Sequence, residues 1–202
     1  MQSNFFSRRK VMSLLSASAL AAVLPAPSFA LTEAGAKKLI DELVAAINKV
    51  IASGRSEQQM YGDFEKIFER YSDVPTIARY ALGVDARRAS AAQMREFTKA
   101  FQRYISVKYG KRFREFIGGK IVVDAARPVK SFYEVKTTAH LRGEAPFEVT
   151  FLVSDRSGKD LFFNLFIEGI NMLLTERTEI GAMLDRRKGD IDGVITDLRV
   201  AG

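Results

Sequence analysis

Cysteine is absent from the 202 residues, tryptophan is absent, and histidine occurs once, as His140. Without cysteine there are no disulfides, no thiolate zinc sites, no iron–sulfur clusters and no cysteine nucleophile. A single histidine excludes any His-pair metal site and leaves few arrangements for a general base. Motifs are missing too: no Gly-x-Gly-x-x-Gly, no Walker loop, no His-Glu-x-x-His and no Gly-x-Ser-x-Gly. Gly118-Gly119 reads as a helix stop rather than a phosphate loop. His140 falls on the polar side of a strand pattern and reads as a surface residue. The carboxylate pairs Asp41/Glu42 and Asp190/Asp192 fall at helix ends or exposed faces. No catalytic residue, metal ligand or cofactor site is expected, and the chain reads as a non-enzyme.

What is present is ordinary for a folded domain, with 47% hydrophobic and 27% charged residues. The first thirty residues differ from the rest. Ser7-Arg8-Arg9-Lys10 precedes an apolar, small-residue run from Val11 to Leu24, and Ser28-Phe29-Ala30 fits the small-x-small cleavage rule. Residues 1–30 are therefore expected to be a signal peptide cut between Ala30 and Leu31. Arg8-Arg9 in this setting resembles a twin-arginine export signal; a general secretory signal with two incidental arginines is the alternative. The run is too short and too rich in serine and alanine to anchor the chain in a membrane. The processed chain, 31–202, is expected in the periplasm as one domain. Without Arg8, Arg9 and Lys10 it carries 28 basic and 24 acidic residues, a net of +4. Export argues against nucleic acid, so any basic surface would serve anionic lipid headgroups or an acidic protein partner.

The first half has helical periodicity. Thr32 caps a helix with Leu39, Leu43, Ala46, Ile47, Val50 and Ile51 on one face, closed by Gly54. Ser56 with Gln59, and Ser90 with Gln93, read as capping boxes. The first opens a helix carrying Met60, Phe64, Ile67, Phe68 and Tyr71. The second opens a long helix with Met94, Phe97, Phe101, Tyr104 and Ile105 on one side. Between them, Asp73 caps a short helix with Pro75 in its first turn, ending at Gly83.

The second half alternates. Ile121–Val123 is a short strand candidate, and 133–141 and 147–154 read as half-buried antiparallel strands. Leu161 to Ile167 is a strand apolar on both faces, with Leu161, Phe163, Leu165 and Ile167 on one and Phe162 and Phe166 on the other. Helices are expected near Thr175–Arg187 and Asp190–Leu198. The result is an α+β domain: N-terminal helices packed on a twisted antiparallel sheet, closed by C-terminal helices. Fifteen Phe and six Tyr serve either a plain core or a greasy cavity between the layers.

Several stretches in this order resemble one family: Phe64 through Asp73, Ile77 through Gly83, the Ser90-x-x-Gln93-x-x-x-Phe97-x-x-x-Phe101 helix, Leu165 through Ile180, and Gly189 through Ile195. The family is the MlaC-like, or toluene-tolerance, family, and the resemblance spans most of residues 35–198. Its members are periplasmic phospholipid carriers. The resemblance implies an apolar cavity between the layers and acyl-chain contacts at Phe101, Tyr104, Phe151, Phe163, Leu165 and Ile167. It implies a monomer that passes lipid between an inner-membrane ABC transporter complex and an outer-membrane lipoprotein complex, maintaining outer-membrane lipid asymmetry. Glu168 and Arg177 match family positions and read as an ion pair or cap joining the last strand to the next helix. The chain departs from the family in having Asn164 where Asp is common and Asn171 where Ser is common. A hopanoid or sterol cargo, and a non-lipid envelope adaptor built on the same domain, are the alternatives.

Overall fold

The computed structural model describes residues 30–113 and 119–202. The leader expected over 1–30 lies, but for Ala30, outside the described residues, as does Gly118. Among those described, no helix is long and apolar enough to cross a membrane.

The helices begin where their caps place them. In α1 (Glu33–Ile51) the Thr32 hydroxyl accepts from the Gly35 amide at 3.1 Å. In α2 (Glu57–Tyr71) the Ser56 amide donates to Gln59 Oε1 at 3.2 Å. In α3 (Val74–Leu82) Asp73 accepts from the Thr76 amide and Pro75 occupies the first turn. In α4 (Ala91–Phe113) Ser90 and Gln93 form a reciprocal capping box at 3.0 and 3.1 Å. These contacts satisfy amides that a helix start leaves without partners. Gly83 ends α3 with φ +67°, in the left-handed region where glycine has no steric penalty.

Five antiparallel strands follow in the order β1-β2-β3-β4-β5. β1 is Lys120–Val129, much longer than the expected Ile121–Val123. Its register with β2 (Phe132–His140) jumps between Val123 and Ala125, leaving Asp124 outside the ladder, where it accepts from the Thr138 hydroxyl at 2.7 Å. Pairing then resumes through Pro128, which an edge strand tolerates because one side of its ladder needs no N–H. Asp124, two alanines, an arginine and a proline give no strand signal in sequence.

β2 buries Val135, Thr137 and Ala139 and alternates as expected. β3 (Phe147–Ser154) does not: Val149 to Ser154 is buried throughout, because this central strand is flanked on both sides. β4 (Leu161–Ile167) carries a second irregularity. Leu152 pairs with Asn164 but Val153 pairs with Phe162, so Phe163 is the extra residue of a bulge. The expected side-chain parity is thereby corrected. Phe162, rather than Phe163, shares a face with Phe151, Leu165 and Ile167, and its ring meets Phe151 edge-on at 5.6 Å. The short β5 (Ile170–Asn171) leads into α5 (Met172–Arg186), which starts earlier than expected, and α6 (Ile191–Ala201) closes the chain.

Two polar ties set the layers. The Asp73 amide donates to the Phe162 carbonyl at 2.8 Å, pinning the α2–α3 corner to β4. Asn164, buried on β4, accepts from the Leu173 amide at 3.2 Å and donates to Asn171 Oδ1 at 3.0 Å, while Asn171 caps α5 by accepting from the Leu174 amide. The two asparagines that depart from the family pattern therefore hold each other. α1 lies across β1 to β3, and α3 and α5 meet β4. α4 packs between α2 and α6. The Leu31 amide donates to Asp155 Oδ2 at 3.0 Å, tying the chain ahead of α1 to the β3–β4 turn.

Gly119 enters β1 against the His140 end of β2. A Cβ there would lie 2.2 Å from the His140 carbonyl oxygen, a backbone atom that cannot swing aside. Gly119→Ala is expected to destabilise the fold by about 3 kcal/mol through overpacking. Urea unfolding checks it, and a cost under 0.5 kcal/mol (, about the scatter of neutral surface changes) would show that the strand shifts freely.

Candidate functional site: an apolar cavity between helices and sheet

The helical layer and the sheet do not close completely on each other. Between them lies a cavity of about 560 Å³. α1 contributes Leu43 and Ile47, α2 contributes Phe64, Ile67 and Phe68, and α4 contributes Phe101, Ile105 and Tyr109. The sheet supplies Val149 and Phe151 from β3 and Phe162, Leu165 and Ile167 from β4. Leu173 and Glu176 come from α5. Arg112, Glu144 and Glu168 are its exposed charged lining residues and mark where it opens to solvent. The size falls in the middle of the roughly 300–1,000 Å³ range of ligand sites, below the top of it, where two whole acyl chains would put it.

Five of the six residues expected at the ligand line this cavity: Phe101, Phe151, Phe163, Leu165 and Ile167. Phe101 is wholly buried and stacks on Phe97 at 5.8 Å. Phe163 lines it from the bulge while its ring packs edge-on against Phe132 at 5.7 Å. Tyr104 is not a lining residue. Its hydroxyl donates to Glu179 on α5 at 2.9 Å, which turns the ring towards the α4–α5 seam. The aromatic facing the cavity from this part of α4 is Tyr109. Glu168 and Arg177 do not form the expected pair. Glu168 sits in the β4–β5 turn with φ 49° at the cavity opening, while the Arg177 guanidinium lies 5.1 Å from the Tyr80 ring centre and holds α5 to α3.

A family model described as MlaC protein matches residues 37–200, nearly all of the described chain. The chain belongs to the MlaC family. A solved structure similar to it is a phospholipid-binding protein from Ralstonia solanacearum in complex with a phospholipid, with TM-score 0.68 and 16% identity over 84% of this chain and 95% of that one. No curated protein matches the chain. The α+β architecture of helices, sheet and closing helices is thus that of an MlaC-family fold.

Behind Tyr109 and Glu176, which line this MlaC-family cavity, lies a polar network that periodicity did not expose. Lys108 donates to Glu176 at 2.8 Å and to Glu179 at 2.6 Å, Tyr109 donates to Glu176 at 2.7 Å, and Tyr104 donates to Glu179. Burial pulls the Lys108 ammonium down, but the hydrogen bonds to both carboxylates raise it on balance. Burial pushes the Tyr104 hydroxyl up to about 12, helped by Glu179, and raises Tyr109 further, helped by Glu176. For Glu179, burial acts upwards but the bonds from Lys108 and Tyr104 hold its carboxyl below the ordinary value. The four donors and acceptors are therefore fixed in charge across neutral pH: one ammonium, two neutral phenols and an ionised Glu179. Glu176 and Glu179, three residues apart, look in sequence like one solvated helix stripe. Only the packing of α5 against α4 reveals the network. Among the described residues, no group of three or more acids and histidines could hold a metal.

A separate shallow groove of about 500 Å³ runs between α3 and α4, flanked by Arg79, Arg95 and Lys99, with no carboxylate in its lining.

Proposed function

We propose that the chain is an exported carrier that holds the acyl chains of a phospholipid in the cavity between its helices and its sheet. The observation that carries this reading is the apolar cavity, on a family fold also seen in a protein solved with a phospholipid bound. The physical need is clear. Roughly 30 methylenes at about 0.8 kcal/mol each oppose exposure of two acyl chains to water by about 25 kcal/mol gross. A carrier replaces that burial with its own apolar wall and needs no reactive group. Phe101, Phe151, Phe163, Leu165 and Ile167 are the proposed acyl contacts. The headgroup sits at the opening among Arg112, Glu144 and Glu168.

Residues 1–30 act as the export signal, cut between Ala30 and Leu31, and the carrier works in the periplasm as a monomer. It moves lipid between an inner-membrane ABC transporter complex and an outer-membrane lipoprotein complex, maintaining outer-membrane lipid asymmetry. Arg79, Arg95 and Lys99 offer an acidic partner surface a cationic face more than three helical turns along α4 from Arg112.

The test is native mass spectrometry with lipid extraction on residues 31–202 purified from a bacterial periplasm without detergent. One diacyl phospholipid per chain is expected. Leu165 and Ile167 are only partly buried and have room to grow. Leu165→Trp and Ile167→Trp are expected to stay folded by circular dichroism and to lose most of the bound lipid. Wild-type protein that is empty and takes up no lipid from vesicles would sink the carrier reading and leave an envelope adaptor. Full occupancy in both tryptophan variants would instead sink the contact assignment.

A further inference from the structure

One polar atom in the cavity wall has no partner. Glu176 lies in the first half of α5, is 3% exposed and lines the cavity. Its Oε1 accepts from Lys108 at 2.8 Å and from Tyr109 at 2.7 Å. Its Oε2 is buried and accepts no hydrogen bond from the protein. Folded proteins seldom leave a buried carboxylate oxygen in that condition, because the atom forfeits its hydration without replacement. The remedy is a donor carried by whatever fills the cavity.

The surroundings narrow the kind of donor. Tyr109, which holds the other oxygen of Glu176, stands one helical turn before Arg112, roughly 5 Å along the axis of α4. Arg112 is the one cationic side chain among the described lining residues, and Glu144, Glu168 and Glu176 are all acidic. A phosphate suits Arg112, which presents a forked set of donors. Lys108 offsets the charge of Glu176, and Glu144 and Glu168 still disfavour further negative charge and favour a cation. An acceptor bonded about one helical turn of α4 from Arg112, in a lining of three carboxylates and one guanidinium, fits a positively charged N–H group joined to a phosphate by a short linker.

Resting on the carrier reading, we propose that Glu176 Oε2 accepts a hydrogen bond from the protonated amine of the carried lipid's headgroup. The cavity thereby selects amine-headed phospholipids over analogues whose nitrogen bears no hydrogen. No covalent step is involved. The carboxylate is the recognition element, and Lys108 and Tyr109 are positioning residues that hold its other oxygen.

The experiment is a competition. Delipidated chain is incubated with vesicles containing equal amounts of phosphatidylethanolamine, its N-methyl and N,N-dimethyl derivatives, phosphatidylcholine and phosphatidylglycerol, all with the same acyl chains. Bound lipid is then counted by mass spectrometry. Wild-type chain is expected to prefer the three lipids that keep an N–H over phosphatidylcholine by about tenfold, the size of a charge-assisted hydrogen bond. The drop should come at the last methyl group, when the last donor goes. Glu176→Gln can turn amide hydrogens towards the same place, and should bring the preference to within about twofold.

Equal uptake of phosphatidylcholine by wild type overturns the proposal. So does a preference that survives in Glu176→Gln, or a smooth decline with each methyl, which would read as size. Phosphatidylglycerol taken up as well as phosphatidylethanolamine, with phosphatidylcholine excluded, makes the donor a hydroxyl and overturns the amine. If Glu176→Gln does not fold, the methylation series on wild type decides alone. Uptake of no lipid from any vesicle defeats the carrier reading itself, an outcome distinct from uptake without selection.

Discussion

Phe101→Ala should destabilise the delipidated chain by about 4 kcal/mol, and the lipid-loaded chain by distinctly less. Phe101 is 0% exposed, stacks on Phe97 and lines the cavity. Deleting the ring removes its transfer free energy and leaves a void, and such changes cost about 3–5 kcal/mol in well-packed cores. At this site the void opens into the cavity, where an acyl chain occupies part of it. Phe97 supplies the control. It is equally buried but is not a lining residue. Phe97→Ala should cost about the same with and without lipid. Thermal unfolding of both variants in both states measures the difference. A shift of roughly 10 °C is expected for Phe101→Ala without lipid. Equal lipid dependence in the two variants would show that Phe101 is plain core.

Lys108→Met should lower stability at neutral pH by about 3 kcal/mol, the cost of stripping a buried carboxylate of its ionic partner. Glu176 is buried and would keep only the Tyr109 hydroxyl. Removing both charges in Lys108→Met/Glu176→Leu should recover at least half of the loss, because a well-packed apolar pair often equals a buried ion pair. The pH dependence has a defined sign. Glu179 is held below its ordinary value of 4.5, so its contribution is present above that pH and fades as pH falls through the lower folded value. Lys108 is held above 10.5, so its contribution is present below that pH and fades only as pH rises through the higher folded value. Urea titrations at pH 7 and pH 3 should show a steeper acid loss in wild type than in Lys108→Met. A single variant within 0.5 kcal/mol of wild type at pH 7 (, the range of ordinary surface changes) would mean that the Lys108–Glu176 pair does not hold α4 to α5.

The helices were legible because their signals are local. Thr32, Ser56, Asp73 and Ser90 each announce a start within three residues, and the structure uses all four. The strands were legible where polarity alternates, as in β2, or where an apolar run is nearly unbroken, as in β4. Asp124 and Phe163 each interrupt a ladder, and a bulge leaves no mark on periodicity, since it is set by the partner strand's register. Shifting by one residue past Phe163 exchanged the two faces of β4, which is why Phe162 emerged as the aromatic shared with Phe151. The cavity's greasy lining was legible as spacing along α4 and β3, but spacing cannot separate a wall from a filled core. The Lys108–Glu176–Tyr109 group was illegible because its members lie 67 and 68 residues apart in the chain. Tyr104 failed as a lining residue for the same reason: its partner Glu179 lies on a helix 75 residues away.

The bond from the Leu31 amide to Asp155 bears on the proposed cleavage. In the uncut chain that nitrogen is a neutral donor in a peptide group. A cut between Ala30 and Leu31 makes the same atom an α-ammonium, 3.0 Å from a carboxylate. Asp160 is already raised by burial and by the charge on Asp155, so the β3–β4 turn holds two mutually repelling acids. The new terminus brings a positive charge to that place without moving a side chain. Cleavage would then do more than release the chain from its leader: it would turn a hydrogen bond into an ion pair and fasten the first helix to the far end of the sheet.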